Sequence, residues 1–324
     1  DTRDFLRIID GIHWETDYLL ITLDVTSLYT SIKHELGIQA CRYFLSTKPI
    51  NTLRHTDMLL QMLRFCLEHN VFLFNDQHYL QIQGTAMGAC FAPSYANLFV
   101  GWWEKQVVAQ LDEFDTHIVL WLRYIDDIFF IWKGTEYSAS AFISSLNVNE
   151  FNLSFTSTIN SNTIEFLDIS VRVIEDKLET SLYRKPTAGN TLLHASSSHP
   201  KKLIQSIPYG EFLRAKRNCS TQCMYELERH EMETRFSQRG YTNNCIKLAA
   251  RKADLKTHAE LLKDSHAASK RKEDDKTPIR FITQYCSRSR EIGSILRKHW
   301  AILKTDRVVA DAIGSYPLIT YRKG

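Results

Sequence analysis

The stretch 122–132, LRYIDDIFFIW, constrains this chain most, because it sets two adjacent carboxylates, Asp126 and Asp127, between two apolar runs. Both runs are rich in aromatic and β-branched residues and predict two buried strands hinged at the acidic pair. An Asp pair at a tight turn has an ordinary structural explanation, since Asp favours turns. Here, however, the apolar flanks hold both charges near a low-dielectric surface, which is unfavourable unless a cation compensates them.

A hard divalent cation such as Mg²⁺ meets this requirement, and it normally needs a further carboxylate and substrate phosphates. Asp24 is the best candidate, because it ends the apolar run Tyr18–Val25, which predicts a strand, and precedes a turn-like Thr-Ser pair. If the two strand regions are neighbours, three carboxylates converge and can hold two metal ions roughly 3.5–4 Å apart. The residues therefore predict phosphoryl-transfer chemistry with two Mg²⁺ ions, for which Mn²⁺ is a substitute, bound by Asp24, Asp126 and Asp127.

Charge divides the chain into two unlike halves. Residues 1–180 hold 12 of the 40 Lys and Arg and 23 of the 37 Asp and Glu, so residues 181–324 hold the remaining 28 and 14. A basic second half is typical of a surface that faces nucleic acid, and a solvated helical surface is the simpler alternative. With 324 residues, of which 44% are hydrophobic, the chain can bury the core of one large or two ordinary domains.

Cysteine usage and hydropathy indicate the class of protein. Seven scattered Cys, an odd number, argue against a disulfide scaffold and for a reducing compartment. No run approaches the ~18 apolar residues of a membrane span, and the start of the chain has no signal-peptide pattern. We therefore expect an intracellular protein, nuclear or cytoplasmic with the nucleus favoured, and no membrane partner. Cys219, Cys223, His230 and Cys245 match no common zinc spacing, so buried or free thiols are the favoured interpretation.

Periodicity predicts a mixed α/β part followed by a helical part. Helices are expected within 52–70 and from Pro93 to Leu111, a two-strand hairpin over 71–80, and a half-buried strand over 164–173 with 178–184 as its partner. From about Pro186, helical patterns cover 211–236, 243–262 and 291–303, while 265–278 is charged and polar and predicts an exposed or mobile loop.

Three ordered stretches resemble the A, B and C motifs of reverse transcriptases: LDVTSLYTSI at 23–32, QGTAMGACFAP at 83–93 and YIDD at 124–127. Further downstream, FLD at 166–168, LYRKP at 182–186, HP at 199–200 and IPYG at 207–210 resemble Penelope-like retroelements, a branch related to telomerase. The resemblance runs over almost the whole chain. It implies an α+β fold: a right-hand polymerase palm with partial fingers over 1–185, in which about 33–82 is fingers-like, then a mainly helical basic thumb and C-terminal extension over 186–324.

The function that this resemblance implies is that of an RNA-directed DNA polymerase of a retroelement, extending a DNA primer on an RNA template with dNTPs. Asp24, Asp126 and Asp127 are its implied catalytic and metal-binding residues. Its implied nucleotide-binding residues are Ser27 and Leu28 through their amides, Tyr29 as the ring that blocks a 2′-hydroxyl, and Gln83 and Gly84 beside the nucleotide and template base. The segment 166–169 resembles the hairpin that grips the primer end. The implied primer- and hybrid-binding residues are Phe166, Leu167, Lys201, Lys202, Arg214, Lys216 and Arg217.

One position departs from the wider pattern. Many polymerases have a Lys after the Asp pair that protonates pyrophosphate, but the matching segment places Phe155 there. Two alternatives therefore stay open at this point. The chain is either an inactive or domesticated remnant that binds nucleic acid, or an RNA-templated RNA polymerase, which Tyr29 disfavours.

Overall fold

The computed structural model describes residues 1–47, 55–110, 112–263, 280–286, 288–313 and 316–322. The chain divides into two units, Asp1–Lys185 and Pro186–Gly324. The helices of the first unit are α1 Thr2–Ile9, α2 Leu28–Ser31, α3 His34–Ser46, α4 Thr56–Glu68, α5 Ala92–Gln106 and α6 Glu136–Leu146. Its strands are β1 Tyr18–Val25, β2 Val71–Phe74, β3 Gln77–Leu80, β4 Ile118–Tyr124, β5 Asp127–Lys133, β6 Phe155–Asn160, β7 Thr163–Phe166, β8 Ile169–Ile174 and β9 Lys177–Leu182.

A four-stranded antiparallel sheet of order β4-β5-β1-β6 organises the first unit. Successive side chains of a strand point to opposite faces. On one face, Ile128 and Phe130 of β5 join a buried core with Phe99 and Trp103 of α5. On the other face, the ring of Phe129 lies 5.0 Å from that of Phe5 in α1 and 5.5 Å from that of Phe166 in β7. Both faces are covered, which explains why these strands read as continuous apolar runs.

The second sheet of this unit corrects one prediction. Strands β7, β8 and β9 form an antiparallel meander. The predicted single strand over 164–173 is therefore wrong: it is two strands joined at Leu167-Asp168, where Leu167 has a left-handed φ of +57°. Leu is uncommon in that conformation, so hydrophobic alternation alone did not reveal the turn, although 166–169 resembles a polymerase hairpin. The predicted pairing of 178–184 with this region is confirmed by the β8–β9 register.

Most other predicted elements of the first unit are confirmed, including β1, the strands on either side of Asp126 and the 71–80 hairpin. The hairpin turns at Asn75 and Asp76, both with positive φ, the conformation that a type I′ turn requires. Helix α5 ends at Gln106, and a 3₁₀ turn, Val108–Gln110, replaces its predicted continuation. Residues 48–54, in the predicted fingers-like region, lie outside the described residues.

The second unit is mainly helical, as predicted. Its elements are α7 Lys201–Asn218, α8 Gln222–Gln238, α9 Asn243–Asp254, α10 His258–Leu262, β10 Arg280–Thr283, α11 Ser289–Leu303, α12 Arg307–Ala312 and β11 Leu318–Tyr321. The pattern over 211–236 is two helices and not one, because Cys219 is extended and the Thr221 hydroxyl caps α8. The predicted loop over 265–278 lies outside the described residues.

Small residues allow α7 and α9 to pack closely. Ile246, Ala249, Ala250 and Ala253 of α9 are buried at i, i+3, i+4 and i+7, in one cluster with Phe212. Among the helices that the structure describes, none combines the length and apolar character needed to cross a membrane.

We expect Phe129→Ala to lower the free energy of unfolding of the first unit by about 3–5 kcal/mol, because Phe129 is fully buried and truncation leaves a cavity. Denaturant titration followed by circular dichroism measures this decrease. Phe74→Ala is the matched control, since Phe74 is also a strand Phe but is 69% exposed. Equal decreases in the two variants would contradict the assigned core.

Candidate active site

Two of the three predicted carboxylates face each other across neighbouring strands. Asp24 near the end of β1 is the direct cross-strand partner of Asp127 at the start of β5. Residues in this relation have Cβ atoms roughly 4.5–5.5 Å apart in an antiparallel sheet. Asp126 is next in the chain, and its carbonyl accepts the N–H of Val25 at 3.3 Å. The structure therefore brings Asp24, Asp126 and Asp127 to one end of the central sheet.

The β4–β5 turn that carries the Asp pair has an unfavourable backbone. Tyr124 pairs with Asp127, so Ile125 and Asp126 form a two-residue loop. Ile125 has φ +58°, a left-handed conformation that is an outlier for a β-branched residue. Such a residue persists only where its surroundings hold it in place.

Desolvation and neighbouring carboxylates disfavour the charged forms of Asp24 and Asp127. Asp24 is exposed, but desolvation by its surroundings raises its pKa, and the charge of Asp126 raises it further. Burial likewise raises the pKa of Asp127, with added contributions from Asp126 and Asp24. The charge of Lys185 opposes both shifts. Lys185 is the functional candidate that sequence reasoning missed: it lies in the LYRKP stretch, which on its own indicates no role for this residue.

The donor chemistry at this end of the sheet fits Mg²⁺. Carboxylate oxygens are hard ligands, and clustered like charges are the condition that a divalent cation relieves. Among the described residues, no group of three or more His, Cys, Asp and Glu is arranged to hold a metal ion. Asp24, Asp126 and Asp127 are the residues that would hold Mg²⁺, which would need further oxygen ligands to complete its coordination.

A cleft of about 210 Å³ opens beside the carboxylates. Asp24 and Asp127 line it together with Thr156 and with Phe166 and Leu167 at the β7–β8 turn. Because side chains alternate between the two faces of a sheet, Asp24 and Asp127 lie on the same face as Phe129. Helix α1 and strand β7 cover that face around Phe129, and the two carboxylates lie at the edge of the covered region. Phe166 is only 4% exposed, so its ring packs in the core. Leu167, at the tip of the hairpin, is half-buried.

The predicted nucleotide-binding residues form two segments that contact each other. Ser27 has φ +53° and precedes the short helix α2, which begins at the buried Leu28. The Thr85 N–H donates to the Tyr29 carbonyl at 2.7 Å. Gly84 has φ +78°, and a Cβ there would lie 2.4 Å from the same Tyr29 oxygen. Only glycine permits this close approach.

The Gln83 side chain also bonds to the segment that contains Tyr29. Its amide nitrogen donates to the carbonyls of Thr30 and Ser31, both at 3.2 Å. Tyr29 itself is half-buried. The structure thus brings Ser27, Tyr29 and Gly84 into one cluster, and it shows that Gln83 ties that cluster together.

Phe155 is a core residue. It is 7% exposed, and its ring lies 4.7 Å from that of Trp103. Phe155 occupies the position where a proton-donating Lys was expected, and its side chain points into the apolar core. This position therefore supplies no proton donor. Lys185 is the cation whose charge acts on Asp24 and Asp127.

The five predicted hybrid-binding cations of α7 fall into two groups. Lys201 and Lys202 are exposed in its first turn. The other three have internal partners: Lys216 donates to the Asp254 carbonyl at 2.9 Å and lies over the Tyr225 ring, Arg217 donates to Asn218, and Arg214 pairs with Glu211. Each of these three side chains therefore has a partner within the helical unit.

Helix α9 has a basic face that the sequence pattern did not single out. Lys247, Arg251 and Lys252 are exposed on the side opposite its buried alanines. Of the described residues, none forms an ion pair or hydrogen bond with these three side chains. The four residues considered for zinc include free thiols at Cys219, Cys223 and Cys245, the first of which is buried.

Part of the second unit matches a family model. Residues 191–250 match the family model of the animal helix-turn-helix domain, a segment that contains α7, α8 and most of α9. The sequence matches none of the curated proteins with which it was compared.

This chain is similar in fold to solved polymerase structures, including the following two. Telomerase from Candida albicans, in complex with a fragment of telomeric RNA, is 11% identical with a TM-score of 0.51, covering 78% of this chain and 46% of that chain. The RNA-dependent RNA polymerase of a human picobirnavirus is 10% identical with a TM-score of 0.50, covering 81% and 52%. This chain therefore spans about half the length of the polymerases whose mixed helix-and-sheet fold it shares.

We expect Asp127→Asn to stabilise the metal-free protein at neutral pH, by on the order of 1 kcal/mol for a partly solvated charge. Because the folded-state pKa of Asp127 is raised above 3.8, its ionisation costs stability as the pH rises from 3.8 through that pKa. The gain from the substitution should therefore be absent below this window and complete above it. Denaturant titration over a pH series in the presence of a chelator measures it.

Asp76→Asn is the control for this substitution, because Asp76 lies in an exposed turn at φ +59°, which Asn also adopts. Its effect should stay within about 0.5 kcal/mol at every pH. A decrease in the stability of Asp127→Asn at neutral pH would contradict the proposed repulsion.

Proposed function

We propose that this chain is the core of an RNA-directed DNA polymerase that extends a DNA primer on an RNA template. The main support is the pairing of Asp24 with Asp127 beside Asp126, at the mouth of a cleft, in a fold similar to those of telomerase and an RNA-dependent RNA polymerase. The finer proposal, a Penelope-like retroelement enzyme acting in the nucleus, rests on the downstream sequence signatures.

In this proposal Asp24, Asp126 and Asp127 hold two Mg²⁺ ions together with the nucleotide phosphates. The chemistry that bound Mg²⁺ supplies is a lowered pKa of the attacking 3′-hydroxyl and neutralisation of charge on the leaving pyrophosphate. Lys185 adds positive charge beside Asp24 and Asp127, where the phosphates would lie. The β7–β8 hairpin borders the cleft and would orient the primer end through its backbone and Leu167.

The cluster around Tyr29 would select the sugar. Gly84 and Thr85 fix the Tyr29 backbone, so the ring would block a 2′-hydroxyl from a defined position. First-turn amides of a helix lack intrahelical acceptors, so those at Ser27 and Leu28 are suited to bind the triphosphate.

We expect the chain to incorporate dNTPs on an RNA template in the presence of Mg²⁺, and Asp126→Asn to reduce the rate by more than about 100-fold. That threshold exceeds the usual effect of changing a residue that only supports a metal ligand. Single-nucleotide primer extension, with rNTPs in a parallel reaction, measures it. Asp57→Asn is the control, since the Asp57 side chain is 78% exposed and pairs with Arg42.

The outcomes of this experiment separate the alternatives. Preferential use of rNTPs would favour an RNA polymerase. Binding of an RNA–DNA hybrid without incorporation of any nucleotide would favour a remnant that binds nucleic acid. Activity that persists in Asp126→Asn would overturn the assigned mechanism.

The basic face of α9 is proposed to bind nucleic-acid phosphates, because Lys247, Arg251 and Lys252 are exposed and unpaired within the described part of the chain. We expect their combined substitution by Ala to weaken hybrid binding, and to reduce the slope of log K against log[salt] by up to about 2.7, roughly 0.9 for each phosphate that is no longer neutralised. Fluorescence anisotropy at several salt concentrations measures both quantities.

The matched control replaces Lys298, Lys304 and Arg307 by Ala, which changes the net charge equally at exposed positions of α11 and its C-terminal neighbourhood. Its salt slope should change less than that of the α9 variant. Equal slopes would indicate general charge attraction and would contradict a specific role for α9.

A further inference from the structure

The turn that carries Asp126 and Asp127 is attached to helix α5 by one side chain. Arg123, three residues before Asp126, is only 12% exposed at its side chain. Its Nη1 donates to the Ile125 carbonyl at 3.1 Å. Ile125 is the residue with the left-handed φ, so the guanidinium binds the strained peptide of the turn itself.

Helix α5 provides a receptor for this guanidinium. Asn97, Gly101 and Glu104 recur at i, i+4 and i+7 and so share one face of α5. Arg123 Nη1 donates to Asn97 Oδ1 at 2.7 Å, and Arg123 Nε forms a 2.9 Å ion pair with Glu104 Oε1. A Cβ on Gly101 would lie 3.2 Å from Arg123 Nη2, so glycine leaves the space that the guanidinium occupies.

The receptor is itself fixed in place. Trp121 of β4 donates its indole N–H to Glu104 Oε1 at 2.8 Å. The Glu104 carboxylate therefore accepts from one strand residue and pairs with another, and its own side chain is 22% exposed. The Arg123 guanidinium thus contacts three residues: Asn97 and Glu104 of α5, and Ile125 of the turn.

We propose that Arg123 is a positioning residue, which holds the Ile125-Asp126 turn in its strained conformation and so sets the direction of the Asp126 and Asp127 carboxylates. This inference rests on the proposed function for its catalytic consequence. If Arg123 only joined β4 to α5, its ion pair with Glu104 would be enough. The additional hydrogen bond from Arg123 to the Ile125 carbonyl shows that the guanidinium also holds the turn. Lysine keeps the charge but lacks the planar fork that reaches Glu104, Asn97 and Ile125 together.

The test compares Arg123→Lys and Asn97→Ala with Arg42→Lys, an exposed Arg whose partner is Asp57 at 2.9 Å. Hydrogen–deuterium exchange of the peptide that spans the turn is measured on each full chain without nucleotide. We expect faster exchange at 125–128 in both test variants and unchanged exchange in the control. Asn97→Ala keeps the ion pair, so it remains informative if Arg123→Lys folds poorly.

Catalysis provides the second readout. A displacement of about 1 Å at a reacting group can cost about 100-fold in rate, so we expect kcat for single-nucleotide extension to fall on that scale in Arg123→Lys. The KM for dNTP and the Kd for an RNA–DNA hybrid should change by less than about threefold. The midpoint of the Mn²⁺ titration of the melting temperature should rise, because the carboxylates are less well placed.

The outcomes distinguish this inference from the proposed function. Exchange and kcat that match Arg42→Lys would overturn the role of Arg123 while leaving the polymerase proposal intact. A parent chain that incorporates no nucleotide would overturn the polymerase proposal, and the exchange data would still decide whether Arg123 holds the turn. A parallel rise in KM and hybrid Kd, without faster exchange at the turn, would assign Arg123 to substrate binding and also overturn the inference.

Discussion

The antiparallel pairing of β1 with β5 is the constraint on which the candidate site depends. This register places Asp24 opposite Asp127, and a shift of one residue would move one of them to the other face of the sheet. Register is fixed because both faces are buried: Ile128 and Phe130 pack toward α5 on one side, and Phe129 packs between Phe5 and Phe166 on the other. The aromatic core therefore does more than stabilise the unit, since it determines where the carboxylates meet.

Burial and repulsion explain why the site is suited to a cation. The sheet cover ends at Asp24 and Asp127, so the two carboxylates are desolvated enough to raise their pKa values yet still border an open cleft. Lys185 offsets part of this charge, and the strained Ile125 stores backbone energy in the same turn. Carboxylate repulsion and the strained backbone both lower stability at this end of the sheet, as is common at functional sites.

The helical unit shows that the position of a charge in sequence does not decide its role. Lys216 and Arg217 lie on the same helix as Lys201 and Lys202, but the first two bind acceptors within the unit while the last two are exposed. Helix α9, by contrast, separates small buried residues from three exposed cations. Whether a Lys or Arg can reach nucleic acid is thus a property of packing. The match of residues 191–250 to the animal helix-turn-helix domain covers most of the helical segment that makes this packing.

The sequence by itself determined the central strands, the hairpin at 71–80, the mixed character of the first unit and the helical character of the second, because hydrophobic periodicity and turn residues are local signals. It also predicted that Asp24 and the Asp pair would meet, since both end apolar runs. The left-handed conformation of Leu167, the break between α7 and α8, and the burial of Phe155 and Phe166 were decided only by tertiary structure. So were the effect of the Lys185 charge on the carboxylates and the bonds between Arg123 and α5. These features depend on residues distant in sequence that become neighbours when the strands pair and the helices cover them, and no local pattern records such proximity.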